Sequence, residues 1–235
     1  MAFLSILALA ATVYASPQQP DLDKYVYPLA PYKACPPVKI EFNEYPKGEK
    51  WLTQAKAIVE VWYPTVRSLL ATQDSKVPSE IILRVKQEKN MPPAYASGNS
   101  ITVSGDWITA HPDDLGMIVH ELTHVIQNYP GARTTPGWLV EGIADYIRWW
   151  RYEPEVPRSR IDTTKANYTD AYRTTAFWLA WVSQKYDRRL VPALDGAMRK
   201  REDPMPIFEK MTGKDAPALW KEFVEFYNKT YTSGK

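Results

Sequence analysis

From Leu115 onward, apolar residues fall at Leu115, Ile118, Val119, Leu122, Val125 and Ile126, a spacing of three and four that predicts an amphipathic helix. Asp113 and Asp114 supply negative charge at its start, behind Pro112 at the first position, and Asn128-Tyr129-Pro130-Gly131 ends the run. A second helix is predicted over Trp138–Arg148, after the turn Thr135-Pro136-Gly137, with Trp138, Leu139, Val140 and Ile143 apolar. Upstream, Val38, Ile40 and Phe42 alternate with Lys39 and Glu41 as in a half-buried strand. Lys50–Leu70 reads as a helix turning Trp51, Ala55, Ile58, Val59 and Trp62 to the core, and Pro64 is expected to kink or end it. Glu80–Lys86 predicts a further strand. Ala94–Ser97 and Ser100–Val103, on either side of Gly98-Asn99, predict a hairpin running directly into the Leu115 helix. Arg151 to Asn167 is polar and loop-like, and Ala171–Tyr186 is again helical, rich in Phe177, Trp178, Leu179, Trp181 and Val182.

The ends of the chain read differently. Residues 1–15 hold no charged side chain, and the apolar run Phe3–Val13 leads to Val13-Tyr14-Ala15 before Ser16. That pattern predicts a secretory signal peptide, too short to span a membrane, and hence a secreted, extracellular protein. Residues 16–37 carry Pro17, Pro20, Pro28, Pro31, Pro36 and Pro37 and are expected to form an extended arm. Residues 38–235 are long enough for one substantial core, and a single monomeric domain is expected. A net charge of +2 argues against nucleic-acid binding through a basic field, and no later segment approaches the length of a membrane span. Cys35, the only cysteine, has no partner for an intramolecular disulfide and is expected to be a buried rather than a reactive thiol. Asn167 and Asn228 each begin a glycosylation triplet and, if used, belong on the surface.

The candidate chemistry lies on the first of the two helices. His120-Glu121-Leu122-Thr123-His124 is an H-E-x-x-H pattern, which spends two of the three histidines in the chain. On a helix His120 and His124 stand one turn apart on one face, so both imidazoles reach a single metal ion, while Glu121 is placed to hold a water. Two ligands and a base on one rigid element make the minimal kit for zinc-assisted hydrolysis, with one zinc per chain. Glu141 on the following helix offers a third ligand. Asp145, one turn on, is placed to accept the free N–H of a ligating histidine. The plainer alternative makes Glu141 and Asp145 a solvated acidic stripe facing Arg148 and Arg151. His111 reads as a helix-start residue, and Trp149, Trp150, Trp220 and Phe223 read as core.

His120 and His124 followed by the Glu141 helix resemble the gluzincin metallopeptidases, the group that includes thermolysin and the zinc aminopeptidases. More closely, HPDDLGMIVHELTHVIQ with PGWLVEGIADYIRWW resembles the basic secretory protein family of plants, which also has fungal and bacterial members. Metzincins are disfavoured, because this chain has Gln127 and Pro130 where they need glycine and histidine. The resemblance implies an α+β, zincin-like fold: a small mixed sheet with an edge strand over the active-site helix, then a mainly helical C-terminal part. It implies Glu121 as general base, His120, His124 and Glu141 as zinc ligands, and Asp145 as support behind them. It also implies that one arm of the 94–103 hairpin is the sheet edge on which an extended peptide or protein substrate docks. Gluzincins often carry a downstream tyrosine that stabilises the oxyanion of the tetrahedral intermediate, for which Tyr172 is the candidate, ahead of Tyr168. The expected function is a secreted zinc peptidase, with endopeptidase action preferred. The alternative is a secreted defence or binding protein that keeps the zinc site with little or no turnover.

Overall fold

The sheet is assembled around Ser100–Ser104, a strand buried along its whole length. Four strands form it: β1 (Val38–Glu41), β2 (Ile81–Lys86), β3 (Ala94–Ser97) and β4 (Ser100–Ser104), in the order β1-β2-β4-β3. β1 and β4 run parallel to β2, with Val38 opposite Ile81 and Leu83 opposite Ile101, whereas β3 pairs antiparallel with β4, Ala96 opposite Ile101. Parallel pairs need a crossover. Helix α1 (Glu49–Leu69) supplies it between β1 and β2, and β3 itself lies on the path from β2 to β4. The computed structural model describes residues 34–70, 72, 75–131 and 135–231. The expected signal peptide and most of the proline-rich arm lie outside the described residues.

Helix α1 buries Leu52, Ala55, Val59, Tyr63 and Val66 on one stripe, and Pro64 lies inside it without ending it. The helix runs on because Tyr63, Val66 and Leu70, on both sides of the proline, are fixed in the core, which offsets the lost backbone hydrogen bond. After β4 the chain does not pass straight into the long helix. A short helix α2 (Gly105–Ala110) intervenes, capped by the Ser104 hydroxyl accepting from the Trp107 N–H. His111 therefore closes a helix instead of opening one, and its ring stacks on Trp107 at 3.9 Å. The next helix, α3 (Gly116–Gln127), starts later than Pro112, because the Asp114 carboxylate is held by Arg148 and by the Trp107 indole N–H.

Every residue of α3 except His124 is buried. The stripe read from the sequence is thus one side of a helix enclosed nearly all round, with α1, β3, β4 and α4 (Gly137–Ile147) against it. α4 ends in a wide helical turn over Arg148–Tyr152, where the Glu153 N–H reaches back to the Arg148 carbonyl at 2.8 Å. The segment from Arg151 thus begins as helix rather than loop. Helix α5 (Tyr172–Lys185) packs along α4 at Gly142, where a Cβ would come within 2.7 Å of Thr175 Cβ. Helices α6 (Leu190–Arg199), α7 (Met205–Thr212) and α8 (Ala216–Tyr231) complete the chain around an aromatic core of Trp178, Phe208 and Phe223. Trp149 is buried, while Trp150 and Trp220 are half-buried against the core.

The molecule is therefore a mixed α+β structure with a small sheet followed by helices. Among the described residues no helix is long and apolar enough to cross a membrane. Cys35 is half-buried; its thiol donates to the Val59 carbonyl, and burial, with help from the Glu60 charge, pushes its pKa up to about 11. Asn167 stands in an exposed turn, whereas Asn228 lies within α8, half-buried, its carbonyl accepting from Thr163.

Candidate metal centre and its cleft

One turn of α3 brings the His120 and His124 Nε2 atoms to 3.1 Å from each other. Helix α4 crosses beside them, so that Glu141 Oε2 lies 3.2 Å from His120 Nε2 and 3.4 Å from His124 Nε2. These three residues form a group able to hold a metal ion. The far sides of both rings are engaged as well. His120 Nδ1 is 2.7 Å from Asp145 Oδ1, in a buried contact, and His124 Nδ1 is 2.7 Å from Gln127 Oε1. Oxygen acceptors at both Nδ1 positions place the ring protons there and turn both Nε2 lone pairs into the space beside Glu141. Two imidazole nitrogens and a carboxylate oxygen converging in this way suit zinc.

The same convergence attracts a proton. Burial disfavours a charged His120, but the hydrogen bonds to Asp145 and Glu141 outweigh it and raise the imidazole to about 9. Burial likewise opposes charge on Glu141, and the hydrogen bonds to His120 and His124 outweigh it, lowering the carboxyl to about 2. A divalent cation bound here displaces protons from the ligands.

Glu121 is buried on the same helix, 7 % exposed. Burial raises its pKa, while the neighbouring His120 and His124 charges and the backbone N–H of Ala96 act in the opposite sense. That N–H belongs to β3. The Ser104 N–H donates to the Pro93 carbonyl, and antiparallel alternation then turns the backbone groups of Ala94 and Ala96 away from β4. β3 is therefore a sheet edge with one side open, and it walls a cleft of about 830 Å³ that also contains His120, Glu121, His124 and Glu141.

The opposite wall is the start of α5. Tyr172 is 55 % exposed and its ring lies nearly parallel to that of His120, with centroids 6.3 Å apart. Glu141's negative charge, followed by partial burial, raises its pKa and keeps the phenol protonated as a donor. The backbone there is strained: Ala171 has φ 65° and ψ −171°, a region almost confined to glycine, and Tyr172 has φ 44°. Tyr168 is placed elsewhere, its ring packed against Trp138, Trp178 and Trp220.

The acidic stripe does not face Arg148 and Arg151. Asp145 is 5 % exposed and turned to His120, while Arg148 pairs with Asp114 and Glu153, and Arg151 donates to the Tyr146 hydroxyl. Gln127 is the residue whose part the sequence reading missed. Its amide oxygen faces His124 and its NH₂ donates to the Val140 carbonyl at 3.1 Å, so both ends are specified. Its position three residues after His124 on one helix face was the available signal. Behind it, Arg199 donates to the Gln127 and Ile126 carbonyls and to buried Asp195, which also accepts from Tyr129.

Residues 41–223 match the family described as a peptidase of plants and bacteria. The chain belongs to that family. It is the basic secretory protein family that the two helix motifs resemble, and the matched span runs from the end of β1 into α8. No curated protein and no solved structure matches the chain. Membership in this peptidase family implies peptide or protein substrates and gives the cleft a hydrolytic context.

Proposed function

We propose that the protein is a secreted zinc-dependent peptidase of gluzincin type, acting as an endopeptidase, with a zincin-like catalytic domain over residues 38–235 behind a signal peptide. The observation that carries this reading is the convergence of His120 Nε2, His124 Nε2 and Glu141 Oε2, with both histidine Nδ1 atoms engaged from behind. Zinc held by these three atoms supplies a Lewis acid for the scissile carbonyl and brings a water closer to ionisation at neutral pH.

The chain's own groups do the rest. Glu121 accepts the proton of the attacking water and delivers it to the leaving amine. Its burial, opposed by the neighbouring charges, suits a carboxylate that must both take and release a proton. The Tyr172 hydroxyl, facing the same space, donates a hydrogen bond to the oxyanion. Ala94 and the Ala96 carbonyl offer outward backbone groups on which an extended peptide adds as a strand. A cleft open along this edge accommodates the middle of a chain, which favours endo-action.

The test is Glu121→Gln. The purified variant should keep about one zinc per chain while hydrolysis of denatured casein falls by about 10²- to 10⁴-fold, the usual contribution of a general base. A variant that cleaves as fast as the parent overturns the mechanism, and a parent without bound zinc overturns the metal assignment.

A further inference from the structure

The cleft that holds the candidate metal centre continues past Tyr172 to a pair of arginines and a tryptophan. Arg148 and Arg173 both lie over the Trp149 ring, with guanidinium carbons 4.2 Å and 4.0 Å from its centroid, and all three line the cleft. The two arginines differ in how their charge is met. Arg148 is held between Asp114 and Glu153. Arg173 makes no ion pair among the described residues; its Nη1 donates to the Ser159 hydroxyl at 2.9 Å. A guanidinium offers five N–H donors in a planar fork, so most of this one remains free to meet a ligand.

The nearby acids do not neutralise it. Glu141 faces the two histidines, Asp145 faces His120, and the Asp170 carboxylate accepts the Asn167 N–H. Arg158, which does not line the cleft, is a third cation close to Arg173: burial, and next the charge of Arg173, lower its pKa, and its guanidinium is taken up by the Trp149 and Pro154 carbonyls. Its place over the Trp149 ring holds the Arg173 side chain against an apolar surface, which reduces the conformational entropy lost when it binds. Arg173 also directly follows Tyr172, so a group that meets it lies one residue from the phenol that faces His120.

We infer that Arg173, stacked on Trp149, forms a carboxylate-binding subsite of the cleft, so that the preferred substrates present an acidic side chain or a free C-terminal carboxylate on that side of the scissile bond. The inference rests on the peptidase reading above and adds a substrate class to it. Arg173 is a specificity residue here, and the bidentate fork explains arginine at a position where a lysine would meet a carboxylate through one point charge.

The experiment uses acetylated, amidated fluorogenic peptides carrying Glu, Gln or Lys in turn at each position around the scissile bond. A further set has neutral side chains and a free C-terminus. The parent should prefer Glu to Gln at one position by about 10- to 100-fold in kcat/KM, the span of a charge-assisted hydrogen-bonded pair. Arg173→Gln should bring that ratio close to one, and Arg173→Glu should shift the preference to Lys, with zinc content verifying that each variant is folded. A gain confined to the free-acid set identifies the C-terminal carboxylate as the ligand and exo-action as its consequence. A Glu-to-Gln ratio near one in the parent, or one that Arg173→Gln leaves intact, overturns the inference while leaving zinc-dependent casein cleavage standing. Should the parent cleave nothing, the peptidase reading fails instead. The subsite is then judged by binding of the same peptides to Glu121→Gln, read by tryptophan fluorescence, where equal affinity for Glu and Gln peptides overturns it.

Discussion

The two walls of the cleft are built on opposite terms. The α3–α4 side is enclosed: its histidines, Asp145 and Gln127 are buried or nearly so, and each ring nitrogen facing inward has a partner on the ring's other side. The α5 side is open and strained, with Tyr172 exposed and two consecutive residues, Ala171 and Tyr172, in left-handed backbone. Enclosure fixes ligand geometry, because buried polar groups hold their partners against the cost of leaving them unmade. Exposure leaves the α5 side free to touch a substrate, and the strain is the cost of aiming Tyr172 across the cleft. The side that carries the candidate metal group is thus positioned by burial, and the α5 side by packing of α5 on α4 behind it.

The enclosed wall is most vulnerable at the support behind it. Asp195 is fully buried and ties Arg199 and Tyr129 to the C-terminal end of α3. Asp195→Ala leaves the Arg199 charge without its carboxylate and should cost about 3–5 kcal/mol of stability, measured by urea unfolding. A loss within experimental error would show that α3 does not depend on this network. Asp145→Asn acts more locally. It removes the charged acceptor behind His120 and should weaken zinc binding by about 10- to 100-fold, read by competition with a chromophoric chelator. Unchanged affinity would mean that His120 is oriented by packing alone.

The smallest effect should have the opposite sign. Ala171→Gly replaces an alanine in a glycine-like conformation and should raise stability by about 1 kcal/mol, read from the shift in Tm. Peptide turnover should fall in the same variant, because the Tyr172 backbone is then held less firmly. Increased stability with unchanged turnover would show that the strain has no part in positioning Tyr172. A loss of stability would remove the contrast between the walls.

Much of the element pattern was legible because periodicity reports burial: α1 and β2 follow their apolar spacing, whereas β4 and α3 are buried beyond the alternation or stripe that their sequences show. Local signals misled where a distant residue intervened. Asp113 and Asp114 look like helix-start charges, yet Asp114 is captured by Arg148, thirty-four residues away. Of the two outcomes expected at Pro64, a kink or an end, the helix does not end there, because the core on both sides of the proline holds it. The polar stretch after Arg148 extends α4 in a wide turn, since Trp149 has a buried site to fill. In the candidate site, His120, Glu121, His124, Glu141 and Asp145 could be singled out because helical spacing fixes which residues share a face. Gln127 shares the His124 face by the same spacing, but its bond to the Val140 carbonyl and the contacts of Arg173 with Trp149 and Ser159 are ones that no local spacing reveals.

By itself the sequence determined the inventory of the cleft: two histidines one turn apart, a glutamate between them, and a carboxylate pair on the next helix. Covalent helix geometry places such residues, whatever surrounds them. Only the tertiary structure decided which way the rings face, which acids are already paired, and which cation remains open. Those properties arise from desolvation and hydrogen-bond competition among residues far apart in the chain, and they exist only when α3, α4 and α5 are packed together.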